Sequence, residues 1–379
     1  MILIGDWLKL EVKIKKFVIE APSVLILIFL AGCSSPNLTP PKENISLRPV
    51  SFSKLPGWSQ DNHAEALEPF RKSCLQLLRR PATNFFVKKR FGSLKVWRET
   101  CLKLKPERFK APRYARQFFE KNFQPFLVRN KNTLAPVGLF TGYFEPEIRG
   151  ALRRYGEFQT PIYMPPYDLR EKTDRYFSRR EIDRGAIKNI AKTIAWIANP
   201  IDAFFLHIQG SGRIRLPNNK IIRVGYAGHN RHPYTAIGKI LMKRGLLKKA
   251  NISMQSIRSW LSQDLVQARE VMQLNARYVF FRLVRGGGPV GAQGVVLTAG
   301  RSLAVDPKFI SYGVPIWLDT MDPLAAERPL QRLLIAQDTG GAIKGVVRGD
   351  IFFGHGSKAA KRAGYMNQWG RYYVLVPTT

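Results

Sequence analysis

Arg332-Leu-Leu-Ile-Ala-Gln-Asp-Thr-Gly-Gly-Ala-Ile-Lys-Gly-Val-Val-Arg-Gly-Asp-Ile-Phe-Phe-Gly354 holds two short apolar runs around a glycine-rich turn. One aspartate ends the first run and another opens the second. Runs this short, Arg332 to Ala336 and Asp350 to Phe353, read as strands because glycine bounds them and no helical period develops. The surrounding sequence has the same texture. Tyr278 to Val284, Gly294 to Thr298, Pro315 to Leu318 and Tyr373 to Pro377 are further strand candidates, with one short helix from Ser357 to Ala363 closed by Gly364. Close-spaced strands with a single helix predict a small barrel.

Upstream of Asn275 the pattern changes. Tyr234 to Gln273 holds about three helices, Ala203 to Ile208 and Ile221 to Val224 read as short apolar strands, and Ser178-Arg-Arg-Glu181 has the spacing of a capping box. Earlier still, one helix places Leu67, Phe70, Cys74, Leu77 and Leu78 on one face with Pro69 in its first turn, and another spans Arg113 to Phe123. Ser34 to Trp58 is rich in Ser, Pro, Asn and Lys without an apolar period, and reads as a flexible tether.

The N-terminus reads as an export signal. Lys9, Lys13, Lys15 and Lys16 precede the apolar core Val24-Leu-Ile-Leu-Ile-Phe-Leu30, which falls short of the roughly 20 apolar residues that a span needs. Asp6, Glu11, Glu20 and Pro22 sit poorly in such a segment and leave a start downstream of Met1 open. Leu30-Ala-Gly-Cys33 resembles the bacterial lipobox, which implies a signal peptide over residues 1–32 and a diacylglyceryl thioether on Cys33. The chain from Cys33 onward is long enough for two domains at about 150 residues each. Cys74 and Cys101 then remain, an even pair that either closes a disulfide in an oxidising compartment or stays as two buried thiols. Basic residues outnumber acidic ones 61 to 27, a net charge of +34, which favours a polyanionic partner. Export argues against nucleic acid and leaves anionic lipid or a wall polymer bearing carboxylates.

Candidate chemistry narrows to carboxylates. His229-Asn-Arg-His232 is a close histidine pair, but Gly228 and Pro233 make it a turn, and neither a third ligand nor an HExxH context accompanies it. Gly210-Ser211-Gly212 lacks the G-x-S-x-G elbow, so its glycines are read as letting backbone N–H groups approach a ligand. Asp306, Asp338 and Asp350 all lie at turns or strand ends beside glycine or proline. Aspartate favours turns for its own reasons, yet three such acids in one glycine-rich third suggest carboxylates presented by a rigid scaffold.

Gly138-Leu-Phe-Thr-Gly-Tyr-Phe-Glu-Pro-Glu147, Phe205-Leu-His-Ile-Gln-Gly-Ser-Gly-Arg213, Arg223-Val-Gly-Tyr-Ala-Gly228 and the stretch from Ala336 to Gly354 resemble the membrane-bound lytic murein transglycosylase A family. The resemblance runs from about Ala64 to the C-terminus; Val346-Val347 and the high charge depart from it without touching the matched acids. It implies a mainly β fold with flanking helices, a double-psi β-barrel with an inserted smaller β-domain, and a groove for a glycan strand. The domain boundaries expected are a signal peptide over 1–32, a tether over 33–58, the barrel over 59–146 plus 276–379, and the insert over 147–275. The implied reaction cleaves the β-1,4 bond between N-acetylmuramic acid and N-acetylglucosamine without water, leaving a 1,6-anhydromuramoyl end, with neither metal nor organic cofactor. Asp350 matches the single catalytic acid and Asp338 and Asp306 match the other two acids of the family's "three-aspartate" domain. Thr141, Tyr143, Gln209, Gly210, Ser211 and Gly212 are expected to bind sugar, with Tyr226 or Trp369 available to stack on it. Ser34 after the cysteine places the lipid anchor, by resemblance, on the periplasmic face of the outer membrane. The partners expected are glycan strands and the membrane, with room for a wall-remodelling protein complex. The rival reading is a non-catalytic wall-binding lipoprotein on an expansin-like barrel.

Overall fold

The structure is a computed structural model that describes residues 45–79, 89–111, 113–172, 174–248 and 252–378. Cys33, the signal peptide and the start of the tether lie outside them. Ile45–Pro49 (β1) pairs antiparallel with Phe123–Asn130 (β2), and Ile45 and Leu47 pack on the core. The expected tether therefore gives way to structure before Trp58, because two alternating apolar residues suffice to dock a strand that composition alone reads as linker. Helices Ala64–Arg79 (α1), Leu94–Leu102 (α2) and Tyr114–Asn122 (α3) lie between these strands, and Leu67, Phe70, Trp97, Phe118 and Phe119 form a buried cluster beneath them.

Pro69 stands inside α1, not in its first turn. Its carbonyl accepts from Ser73 Oγ (3.2 Å) and from Gln337 Nε2 (2.7 Å), which fastens the helix to the C-terminal sequence. Cys74 and Cys101 are joined, linking α1 to α2 across 27 residues with their Cα atoms 5.4 Å apart. Replacing both by serine is expected to cost about 3 kcal/mol through the larger unfolded ensemble, read as a lower urea midpoint.

Gly138–Glu145 (β3) is followed at once by a second sheet. It is built from Glu147–Ala151 (β4), Thr160–Tyr163 (β5), Thr193–Ile197 (β6), Ser211–Arg215 (β7), Ile221–His229 (β8) and Val279–Leu283 (β9), in the order β5-β6-β4-β7-β8-β9. Helices Arg179–Asp183 (α4), Pro200–Gln209 (α5), Ile237–Lys243 (α6), Met254–Leu261 (α7) and Leu265–Gln273 (α8) accompany it. The capping box at Ser178 and Glu181 is present on α4. Ala203 to Ile208, expected as a strand, is part of α5. Asn199 caps its start through Ile201 N–H (2.8 Å), Pro200 occupies the first turn and Gly210 closes it at φ 75°. Its residues are apolar nearly all round because both faces are buried, which erases the helical period. β9, expected in the C-terminal series that begins after Asn275, instead pairs with β8 in the second sheet.

The chain then returns to the first sheet with Ser302–Val305 (β10), Pro315–Asp322 (β11), Ala325–Asp338 (β12), Arg348–His355 (β13) and Asn367–Pro377 (β14), and with one helix, Gly356–Tyr365 (α9). Gly364 lies within α9 instead of ending it; a Cβ there would come within 2.0 Å of the Gln255 side chain. Gly294 to Thr298 contributes a single bridge, Val290 to Val296, and no strand. The strand order is β1-β2-β14-β11-β12-β10-β13-β3, and β14 also pairs with β3, so six strands complete a circuit of pairing. Two contacts in it are parallel, β3 with β13 and β10 with β12, which requires long crossovers. No helix among the described residues is long and apolar enough to cross a membrane.

Candidate active site

Asp350 sits on β13 between Thr141 of β3 and Ala304 of β10. Gly349 lets β13 lie there, since a Cβ would come within 2.9 Å of the Phe140 ring. Thr141 Oγ1 donates to Asp350 Oδ1 at 2.6 Å, and Arg348 Nη2 donates to Thr141 Oγ1 at 2.8 Å. Withdrawal of Asp350 from water pushes its carboxyl up to about 6; the Arg348 guanidinium and the Thr141 hydroxyl pull the other way, and the Asp338 charge adds to the rise. That is the range in which a carboxyl both holds and releases a proton readily.

Asp338, at the end of β12, accepts from Tyr143 Oη (2.8 Å) and from Ala292 N–H (2.9 Å). Burial raises its carboxyl while these donors lower it, and the buried Tyr143 phenol is held well above its ordinary value, first by burial and then by the Asp338 charge. Asp306 is fully enclosed at 2% exposure and accepts from Lys308 N–H (3.0 Å) and Gly345 N–H (2.9 Å). It anchors the segment between Asp338 and Asp350. The three acids thus differ in their partners: Asp350 is held by Thr141, Asp338 by Tyr143 and the Ala292 N–H, and Asp306 by two backbone N–H groups.

Gln209 Oε1 accepts from Phe144 N–H at 3.1 Å, tying the end of α5 to β3. Gly210 ends that helix, Ser211 pairs with Gly225 in the sheet, and a Cβ on Gly212 would lie 2.4 Å from Leu206. Gly212 is thus required by packing and Gly210 by its left-handed turn, whether or not a ligand approaches them. His229 and His232 turn to separate partners, Arg277 and the Tyr176 carbonyl. Trp369 is 68% exposed, and its register opposite Leu139, with Asn367 opposite Thr141, puts it on the same face of the sheet as Asp350. Tyr226 is 49% exposed on the second sheet.

Three neighbours escape the sequence reading. Arg348 lies two residues before Asp350 in one strand, so the period of a strand would have placed both on one face. Tyr234, whose phenol is raised by burial and by the Asp350 charge, and Arg277 both approach Gly341 in the segment that joins Asp338 to Asp350. A single arginine among so many basic residues carries no signal of its own.

The profile of the "MltA specific insert domain" matches residues 139–282, and that of the "3D domain" matches residues 301–376. Membrane-bound lytic murein transglycosylase A of Escherichia coli K12 is 39% identical over 245 residues, which cover 62% of this chain and 65% of that protein. The aligned chain thus spans less than two thirds of that curated relative. A crystal structure of membrane-bound lytic murein transglycosylase from Agrobacterium tumefaciens is similar at a TM-score of 0.77 and 32% identity, covering 88% of this chain and 98% of the other. The crystal structure of E. coli MltA with bound chitohexaose is similar at a TM-score of 0.68 and 30% identity, covering 88% and 92%. On these matches, whose two profiles fall on the inserted sheet and on the strands that carry Asp338 and Asp350, the chain belongs to the membrane-bound lytic murein transglycosylase A family.

Proposed function

We propose that this protein is a lytic transglycosylase that cleaves the β-1,4 bond between N-acetylmuramic acid and N-acetylglucosamine in peptidoglycan, with Asp350 as its general acid and base. The observation that carries this is a single carboxyl with its proton affinity raised to about 6, on a face shared with an exposed tryptophan. Ordinary glycosidases need a second carboxylate to activate water or to attack the sugar. Here the nucleophile is the C6 hydroxyl of the muramoyl residue itself. Asp350 gives its proton to the glycosidic oxygen as the bond to C1 breaks. The carboxylate so formed takes the C6 hydroxyl proton as the bond between O6 and C1 closes, and Asp350 returns to its starting state. Thr141 and Tyr143 are the polar groups placed to orient sugar beside it, and Trp369 offers a stacking surface for a pyranose ring.

Thr141→Val tests the coupling between that threonine and the acid. The lost hydroxyl had stabilised the carboxylate, so the Asp350 value rises further, and the alkaline limb of the pH–rate profile moves to higher pH. An unmoved limb with a lower rate would limit Thr141 to positioning.

The closed circuit of β14, β11, β12, β10, β13 and β3 is the part of the fold that we assign to a double-psi barrel, with the second sheet as an inserted substrate-binding domain. The lipobox supports a lipid anchor on Cys33 at the periplasmic face of the outer membrane, where a tether gives the enzyme reach to the wall. The deciding experiment is incubation of the protein, without its lipid, with isolated murein sacculi, followed by mass spectrometry of the fragments. 1,6-Anhydromuramoyl ends are expected; reducing muramic ends would make it a hydrolase, and binding without turnover would make it a non-catalytic wall-binding protein.

A further inference from the structure

Arg277, between α8 and β9, carries a half-buried guanidinium that forms no ion pair among the described residues. Burial draws its proton affinity below the ordinary arginine value. Nε donates to the His232 carbonyl at 2.9 Å, and Nη2 lies 3.2 Å from His229 Nε2. Nη1 faces Gly341, where a Cβ would come within 2.1 Å of it. The charge therefore lies against the segment that joins Asp338 to Asp350.

The neighbouring imidazole cannot satisfy both of its contacts. His229 Nδ1 accepts from Arg231 N–H at 2.9 Å, so the neutral ring carries its proton on Nε2. That N–H then points at a guanidinium which can only donate. Burial and the Arg277 charge lower the ring's affinity for a second proton. Two donors facing one another leave a place that an oxygen acceptor would complete, and the half-exposed Tyr226 ring lies 6.3 Å from the imidazole.

Buried polar groups hold this arrangement from behind. Asn230, fully enclosed, donates to the Phe177 and Ala276 carbonyls (2.8 Å each) and accepts from Tyr278 N–H (2.8 Å). Arg179, 4% exposed, donates to the Asn275 carbonyl (3.0 Å) and to the Arg277 carbonyl itself (2.7 Å). Left unpaired, such groups would be costly to bury, and here each is paired onto the backbone, mostly around residue 277. A guanidinium fixed in this way, with donors to spare and no counter-ion, is preorganised for a planar anion.

We propose that Arg277, with His229 and Tyr226, is a carboxylate-binding subsite for the wall polymer, set beside the segment that links Asp338 to Asp350. This rests on the function proposed above. Peptidoglycan carries carboxylates in two places: on the lactyl group of a peptide-free muramic acid, and on the peptide when one is attached. Chitohexaose carries none.

The test uses Asp350→Asn protein, to prevent cutting, with and without Arg277→Gln, and measures Kd for three ligands: chitohexaose, peptide-free glycan strands and peptide-bearing strands. Arg277→Gln is expected to weaken a carboxylate-bearing ligand at least about tenfold and chitohexaose less than about twofold. Weakened binding of peptide-free strands assigns the lactyl carboxylate; a loss confined to peptide-bearing strands assigns the peptide. Arg277→Lys, which keeps the charge without the fork, should fall between wild type and Arg277→Gln on the affected ligand. Equal loss on all three ligands, or loss on none, overturns the subsite. If the folded Asp350→Asn parent binds none of the three, the wall-polymer reading fails and takes this proposal with it.

Discussion

Asp350→Asn is expected to lower release of anhydro-ended fragments by at least about 10²-fold, the scale of a general acid–base contribution, while the protein remains folded. Near neutral pH it should also become more stable. The carboxyl ionises at about 6 in the folded chain against an ordinary value of 3.8, so the folded state holds this proton more tightly than the unfolded one. The stability conferred by that proton is fully present below about 3.8 and is lost as pH rises through about 6. At pH 7 wild type keeps an ionised carboxylate withdrawn from water, and asparagine removes it. Calorimetry should show a higher Tm for the variant at pH 7, with the advantage gone by pH 4. In the wild type, kcat/KM should decline above about pH 6 as the acid loses its proton. Retained turnover in the variant would move the acid role to Asp338, and a lower Tm at pH 7 would make the Asp350 carboxylate a structural group.

Arg301→Ala carries the largest stability loss expected of a single truncation here, about 3–5 kcal/mol, because it leaves a buried acid without its counter-ion. Arg301 is 3% exposed. Its Nη1 and Nη2 clasp Asp61 at 2.8 and 2.9 Å, Nη2 reaches Glu65 at 2.9 Å, and Nη1 donates to the Leu333 carbonyl at 2.9 Å. Asp61 in turn accepts from Leu333 N–H at 3.0 Å. This one side chain thus ties the start of α1 to β12 from its own place just before β10. Arg301→Lys should recover little, since a point charge cannot make both parallel bonds to Asp61. Urea unfolding measures the effect, and a midpoint close to wild type would show that water enters and screens the pair.

Much of the local structure is legible in the sequence where one rule acts alone. The capping box at Ser178, the three helices between Tyr234 and Gln273 and the apolar face of α1 come from spacing that tertiary structure leaves intact. α5 is not legible, because burial on both faces removes the periodicity that separates helix from strand. β9 is legible as a strand, yet its allegiance to β8 is not, since an alternating pattern reports a face and never a partner. Among the acids, turn chemistry explains Asp306, which binds two backbone N–H groups, while the proximity of Asp338 and Asp350 depends on pairings that no local pattern encodes. Arg277 and Tyr234 reach the Asp338–Asp350 segment from connections beside the second sheet, far off in sequence, and only the fold reveals them.

The parallel pairing of β3 with β13 makes the site a late product of folding. Thr141 and Asp350 meet across 209 residues, and the whole second sheet is made between them. Until the last strands have been synthesised and have found β3, there is no enclosed carboxyl and no raised proton affinity. An unfolded chain therefore lacks this site, and contacts so distant in sequence form late and slowly. The enclosed carboxyl is thus assembled only where folding is completed.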